Sequence, residues 1–529
     1  MCSIAITSLK MLLKTATFSI VFLSFCTAFA FQDKKPNIIY ILADDLGYGD
    51  VSAFNPEGKI NTVNLDQLAA DGMKFTDAHT ASALCTPTRY SIITGRYNWR
   101  SPLKSGVLTG ISKPLIPTSR ETVASMLKDA GYETGFIGKW HLGWDWQLKD
   151  ESKPLGGGWN TEDFNNVDFS KKIKNSPMDL GFEYMYAIPA SLDMAPYVYV
   201  ENGLAEEMPT KYSEGIDKYI YFRKGQTSPH FVHQDVTPHF FEKSFNFIEE
   251  KAKSQDPFFL YLALPSPHTP IMPTPPFQGK SGLNPYGDFV LEIDHYIGQL
   301  VEKLKALDLE ENTMIVFTSD NGCAPMANYE VLTSKGHNPS AWFRGTKADI
   351  FEGGHREPFI VKWPSKVAAG STCDQTICTT DFMATCADIL GLDLADDTAE
   401  DSFSMLPLLE DPGTKKYKRE YTVNHSLNGS FALRQGKWKM IFCPGSGGWS
   451  EPRPNAKNIK ELPKFQLYDL EEDPEEKNNL YEQEPKIAAK LKKLMASCIE
   501  DGRSTPGAKQ QNENPMDGKP WQQITNIIE

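Results

Sequence analysis

The sequence predicts an α/β fold: a mixed, mostly parallel sheet flanked by helices, followed by a smaller unit of antiparallel strands. Three observations predict it. Short β-branched or aromatic apolar runs recur through the first 410 residues, as in strands buried on both faces. Helix-period segments separate them, the alternation expected when helices cover a sheet. Polar side chains follow four of the runs directly, and parallel strands share the carboxyl-end edge at which ligands bind.

In chain order, the first run is Asn37–Ala43, followed by Asp44 and Asp45. Thr134–Ile137 is a weaker run that leads to Lys139 and His141, and Phe258–Leu264 leads to His268. Met314–Thr318 leads to Asp320 and Asn321, and Phe359–Trp363 is a fifth run. Helical spacing is expected over Leu65–Asp71, Thr122–Ala130, Phe240–Ser254 and Val290–Leu307. After the turn-rich Glu410–Gly413 the pattern changes. Phe431–Arg434, Trp438–Ile441 and Phe465–Asp469 read as antiparallel strands and Ile487–Ile499 as a helix. The polar tail from about Ser504 is expected to be loosely ordered. The domain reading is therefore a leader at 1–30, an N-terminal α/β domain at 31–410 and an α+β subdomain at 411–529.

The leader reads as a secretory signal. Lys10 and Lys14 precede an apolar stretch from Thr15 to Ala30 that ends in Ala28-Phe29-Ala30. Leu23–Cys26 only weakly resembles a lipoprotein signal, because bulky Phe25 stands where a small residue is expected. No other segment is long and apolar enough to span a bilayer, so the protein is expected to be secreted or periplasmic. Removing the leader takes the net charge from −14 to −16. That acidity argues against nucleic-acid binding and means that an anionic substrate must be held by local cations. Seven cysteines lie beyond the leader: Cys85, Cys323, Cys373, Cys378, Cys386, Cys443 and Cys498. An exported chain could pair six of them if Cys85 were modified.

Asp44, Asp45, Asp320 and Asn321 form an oxygen-only set. Such a set suits calcium or magnesium better than zinc or copper. Pro87, two residues after Cys85, is tolerated in the first turn of a helix, so the cysteine is expected at a helix N-terminus, where anions are stabilised. Lys139 and His141 are two apart, so in an extended segment both point to one side. His230, His233 and His239 lie in an expected loop with no cysteine partner, which argues against zinc.

Cys85-Thr86-Pro87-Thr88-Arg89 with Thr94-Gly95, together with Gly138–Gly143, resembles the type I, formylglycine-dependent sulfatases of the alkaline-phosphatase-like superfamily. Family-like segments run from about Asn37 to Leu480, and Leu467–Leu470 with Asp473-Pro474 resembles the C-terminal sulfatase subdomain. The resemblance implies that a maturation enzyme oxidises Cys85 to formylglycine (3-oxoalanine), whose hydrate attacks sulfate esters. It implies one calcium ion on Asp44, Asp45, Asp320 and Asn321, also touching residue 85. By the same resemblance Arg89 stabilises the formylglycine, and Lys139 and Lys347 hold sulfate. His141 takes a proton when sulfate is released, and His268 protonates the leaving alcohol.

The implied substrate is a sulfated oligo- or polysaccharide, either an algal polymer such as ulvan or carrageenan or glycosaminoglycan fragments. The likeness is to N-acetylgalactosamine-6-sulfatases. Candidate substrate contacts are His337, His355 and His425, with Tyr197 and Tyr199 available for stacking in the aromatic insertion from about Trp144 to Gln234. A phosphoesterase on the related fold would need a serine or threonine nucleophile and a histidine-rich two-zinc site; Cys85 and the oxygen ligands argue against it. A non-catalytic carbohydrate-binding relative would be expected to lack one of these positions, and none is lacking.

Overall fold

The computed structural model describes residues 34–156 and 163–528. The expected leader, 1–30, lies outside the described residues. Everything below concerns the unit Asn37–Glu529.

Ten strands form one sheet. They are β1 (Asn37–Asp44), β2 (Met73–Phe75), β3 (Glu133–Lys139), β4 (Tyr184–Ile188), β5 (Val200–Glu201), β6 (Leu204–Ala205), β7 (Phe258–Pro267), β8 (Thr313–Ser319), β9 (Phe359–Lys362) and β10 (Ser371–Cys373). Their order is β10-β2-β9-β8-β1-β7-β3-β4-β5-β6. The centre, β8-β1-β7-β3-β4, is parallel throughout. Seven of the eight residues of β1 and all ten of β7 are buried, which is why these strands read as continuous apolar runs. The fifth run departs from a parallel reading: β9 pairs antiparallel with β8, Val361 opposite Val316. Burial on both faces looks the same in either orientation, so composition could not tell them apart.

Helices Val63–Ala70, Val123–Asp129, Val236–Lys251 and Pro285–Ala306 match the expected segments to within a few residues. Their starts have local causes. Thr122 Oγ1 accepts from the amide of Ser125 at 3.0 Å, and Asn284 Oδ1 accepts from those of Tyr286 and Gly287.

The smaller sheet is antiparallel: β11 (Thr422–His425), β12 (Phe431–Gln435), β13 (Trp438–Ile441) and β14 (Gln466–Asp469). Helix Pro485–Glu500 lays Ala488, Leu491, Met495 and Cys498 against Val423, Leu433, Met440 and Leu467. Each large aliphatic side chain buried there contributes about 1.5–3 kcal/mol.

Two expectations are corrected. The tail is not loose, because buried guanidinium groups need acceptors and the tail supplies them. Arg96 donates to Glu513 at 3.0 Å and to the Gln511 carbonyl at 2.9 Å, and Arg100 donates to Asn512 Oδ1 at 3.0 Å. Trp521 packs beside Trp99, with ring centres 5.9 Å apart. The cysteines do not pair: all seven are buried free thiols, and the six other than Cys85 serve as small apolar side chains.

Candidate active site

Four adjacent parallel strands end at one place. β1 ends at Asp44, with Asp45 next; β8 is followed by Asp320 and Asn321; β3 ends at Lys139; β7 is followed by His268. Cys85 is the first residue of helix Cys85–Thr94, which follows an extended Leu84 and is closed by Gly95 in the left-handed region at φ 63°. The nucleophile candidate therefore sits at the positive end of a helix dipole. It is only 3% exposed.

The carboxylates are held by cations. Lys139 Nζ donates to Asp44 Oδ2 at 2.5 Å and Lys347 Nζ to Asp45 Oδ1 at 2.6 Å. Arg89 donates through Nε and Nη2 to Asp320 Oδ2 at 3.0 and 2.8 Å, and through Nη1 to the Lys139 carbonyl. Burial opposes ionisation of Asp44, but Lys139 and the other cations outweigh it and hold this carboxyl far below the usual range. Burial and then the charge of Asp44 push Asp320 up to about 7. So dense a group of acids is stabilised by further positive charge.

The donor set fits a hard cation. Asn321 Nδ2 donates to Asp45 Oδ1 at 2.7 Å, while Asp44 Oδ1 and Asn321 Oδ1 are buried acceptors with no hydrogen-bond partner. Two unmatched oxygens beside three carboxylates are what calcium or magnesium coordinates.

The two histidines are wired differently. His141 Nε2 lies 2.9 Å from the Leu108 carbonyl, so it carries the proton, and Nδ1 is buried without a partner. Burial, then the charge of Lys139, lowers the affinity of His141 for a second proton well below normal. His268 Nδ1 lies 2.7 Å from the Thr269 carbonyl, and Nε2 lies 3.7 Å from Asp45 Oδ2. Lys139 and His141 do not meet by strand alternation as expected, because Lys139 ends β3 and His141 has φ 56°. Ser191 went unread in the sequence: its Oγ accepts from Lys139 Nζ at 3.1 Å and lies 3.3 Å from His268 Nδ1. It follows β4, so the buried run Tyr184–Ile188 was the available signal.

Residues 36–392 match the family model described as Sulfatase. The chain belongs to the sulfatase family. A second model, N-sulphoglucosamine sulphohydrolase, C-terminal, matches 340–501. The sulfatase is 35% identical to N-acetylgalactosamine-6-O-sulfatase of Bacteroides thetaiotaomicron, over 88% of this chain and 93% of that one. It is 32% identical to human arylsulfatase A, over 84% and 83%. A solved structure concerned with the metabolism of multiple glycosaminoglycans by Bacteroides thetaiotaomicron superposes with TM-score 0.74 at 34% identity, covering 88% of this chain and 99% of that one. The fold is alkaline-phosphatase-like, and the enzyme is a sulfuric ester hydrolase.

Several expected substrate contacts in this sulfatase are structural instead. His337 is fully buried, with Nε2 2.8 Å from Asp50 Oδ1 and Nδ1 accepting from the Lys59 amide, so neither ring nitrogen is left for a ligand. His355 is held by His79 at 3.0 Å and by Lys439 at 3.1 Å. Tyr197 is 2% exposed; it donates to the Arg223 carbonyl and its ring is packed against Phe222 and His233. Tyr199 packs on Tyr186 and Phe231. Aromatic composition signals a wall equally well when the rings face inward. His425 is different: it is buried, yet both ring nitrogens lack partners, and its carbonyl accepts from Ala83, two residues before Cys85, at 3.0 Å. Of the loop histidines, His230 pairs with Glu207, His233 stacks on Phe222 and His239 contacts Tyr186, so the three do not converge.

Proposed function

We propose that this sulfatase is exported to the periplasm or beyond, is matured to formylglycine at position 85, binds one calcium ion and hydrolyses sulfate esters of a sulfated carbohydrate. The observation that carries the reading is the meeting of residue 85, at a helix N-terminus, with the oxygen set of Asp44, Asp45, Asp320 and Asn321 and with Lys139 and Lys347. The substrate class is supported by a relative named N-acetylgalactosamine-6-O-sulfatase. A solved structure in complex with neocarrahexaose adds support, at TM-score 0.65 and 25% identity over 90% of this chain and 95% of that one. The domain division at about residue 410 belongs to the same reading.

Maturation has a physical reason. Burial pushes the Cys85 thiol up, against the lowering influence of Lys139 and Lys347, so the unmodified side chain is a neutral thiol and a weak nucleophile. Formylglycine supplies a hydrated aldehyde as nucleophile, and calcium offsets charge on the sulfate oxygens. The remaining roles fall to this chain's own groups. Lys139 and Lys347 bind the sulfate oxygens, and Arg89 fixes Asp320 and the end of β3. His141, neutral with a free Nδ1 lone pair, is the base. His268, with Nδ1 committed to the Thr269 carbonyl, presents Nε2 to the leaving oxygen. The two act in turn: His268 gives its proton as the alcohol leaves, and His141 takes a proton as sulfate departs in the following step, after which water restores position 85.

The test combines a screen with a mass. Sulfate release should be measured on defined ulvan, carrageenan, chondroitin and heparin oligosaccharides, with the peptide containing residue 85 weighed from the same preparation. An active preparation should show a loss of about 18 Da at position 85, or its hydrate. Full activity with only reduced Cys85 would refute the reading.

A further inference from the structure

We propose that the tail and the segment 453–464 form a second, non-catalytic groove that binds the sulfated chain beside the active site. The inference rests on the functional reading above and deepens it, making an extended sulfated glycan the preferred substrate.

The charge distribution runs against the whole. In a chain of net charge −14, the segment 453–464 carries Arg453, Lys457, Lys460 and Lys464 against the single acid Glu461. Lys460 and Lys464 are exposed, and among the described residues no carboxylate pairs with either. Both line a cavity of about 510 Å³, together with Asn428, Phe442 and Gln523. Gln523 also lines a neighbouring cavity of about 380 Å³, walled by Lys104, Lys519 and Trp521. Lys104 Nζ lies 4.0 Å from the centre of the Trp521 ring. Lys519 pairs with Asp517 and Lys104 donates to the Trp99 carbonyl, so the ammonium groups of Lys460 and Lys464, with side-chain amides and the indole, are what hold sulfates, hydroxyls and the apolar face of a sugar.

Position ties the groove to the chemistry. Asn428 is three residues beyond His425, whose carbonyl accepts from Ala83 at 3.0 Å. Three residues span at most roughly 10 Å. Leu427 donates to the Ala348 carbonyl at 2.9 Å, next to Lys347, and Gly106 donates to the Leu427 carbonyl at 3.0 Å. From Gly106 the chain continues to Leu108, which holds His141. The wall that carries Asn428 thus adjoins segments that reach Lys347 and His141. Trp521 and Gln523 lie beyond residue 501, where the match to the C-terminal family model ends.

The test uses the full-length enzyme with N-acetylgalactosamine 6-sulfate and a chondroitin 6-sulfate hexasaccharide. Lys460→Glu/Lys464→Glu changes exposed side chains only, so folding is preserved, and Trp521→Ala is measured separately. The charge reversal should raise KM for the hexasaccharide about tenfold, the product of a few-fold for each surface contact. It should leave kcat, and both constants for the monosaccharide, unchanged. Equal effects on the two substrates, or none on the hexasaccharide, overturn the groove. If the wild type releases sulfate from neither of these nor from any oligosaccharide of the screen above, the functional reading is what fails. Calorimetric titration of the Cys85→Ala protein with the hexasaccharide then decides: weaker binding after charge reversal supports the groove, and unchanged binding overturns it.

Discussion

His141 and His268 differ in which ring nitrogen is left available, and that difference makes their roles separable. The Nδ1 of His268 is committed to the Thr269 carbonyl, so only Nε2 can serve a leaving oxygen. His268→Ala should cost roughly 10²–10⁴-fold on a sugar sulfate, whose alkoxide needs a proton. It should cost far less on nitrophenyl sulfate, measured side by side; equal losses on both would reassign the residue. A different histidine sets a pH dependence of stability. His233 lies 3.8 Å from the Phe222 ring centre with Nε2 unpartnered, and burial lowers it to about 3. Its unfolded value is near 6.5, so between those limits the unfolded chain binds the extra proton. Its contribution is therefore present above pH 6.5 and is lost on acidification, by about 1.4 kcal/mol per pH unit. His233→Phe should remove that slope. Urea unfolding at pH 7 and pH 5 checks it: an unchanged difference between the two pH values would show that the ring is protonated in place.

At the scale of elements, the small sheet is bolted to the large one by buried charge. Lys439, on β13, reaches Glu352 at 2.9 Å and Glu476 at 2.8 Å, with all three side chains inaccessible. Arg434, on β12, and Arg356 close the cluster around Asp77 and His79. His79, Glu352 and His355 have the spacing of a metal site, but three cations already surround them, so a further cation is disfavoured. Lys439→Met would leave buried Glu476 without its cation and Glu352 with only Arg356 and Arg434, and a loss of about 3–5 kcal/mol is expected. Calorimetry should show it; a change below about 1 kcal/mol would mean that Arg434 compensates. The sequence could not announce this joint. His355 reads alone as a substrate contact and the other members as exposed polar residues, and only the docking of β12 and β13 gives them one address.

For the whole molecule, three carboxylates gathered by two separate chain segments, the ends of β1 and β8, must be neutralised before the fold can close. Lys139, Lys347 and Arg89 do part of this, and the unmatched acceptors Asp44 Oδ1 and Asn321 Oδ1 leave the rest to an ion. If calcium fills that role, free ion at a hundredfold excess over its Kd should add about 2.7 kcal/mol. Chelation should then lower Tm, and calcium should restore it. Asp320→Ala should abolish the calcium-dependent part of Tm while leaving a folded protein. A Tm indifferent to chelator, in protein shown by elemental analysis to be ion-free afterwards, would remove calcium from the account.

The sequence by itself determined the class of fold and the convergence of four strand ends on one edge. Buried parallel strands must be continuous apolar runs, and their carboxyl ends must share an edge, so Asp44, Lys139, His268 and Asp320 could be placed together from local pattern alone. The tertiary structure decided what depends on the opposite side of a contact: that β9 runs antiparallel, that Tyr197 and His337 face inward, that Ser191 joins Lys139 to His268, and that a polar tail is pinned by Arg96 and Arg100. A residue's own chemistry is written in its name and its neighbours in sequence. Which partner satisfies its polar atoms is set by long-range packing, because a buried donor is bound by whichever distant segment brings it an acceptor.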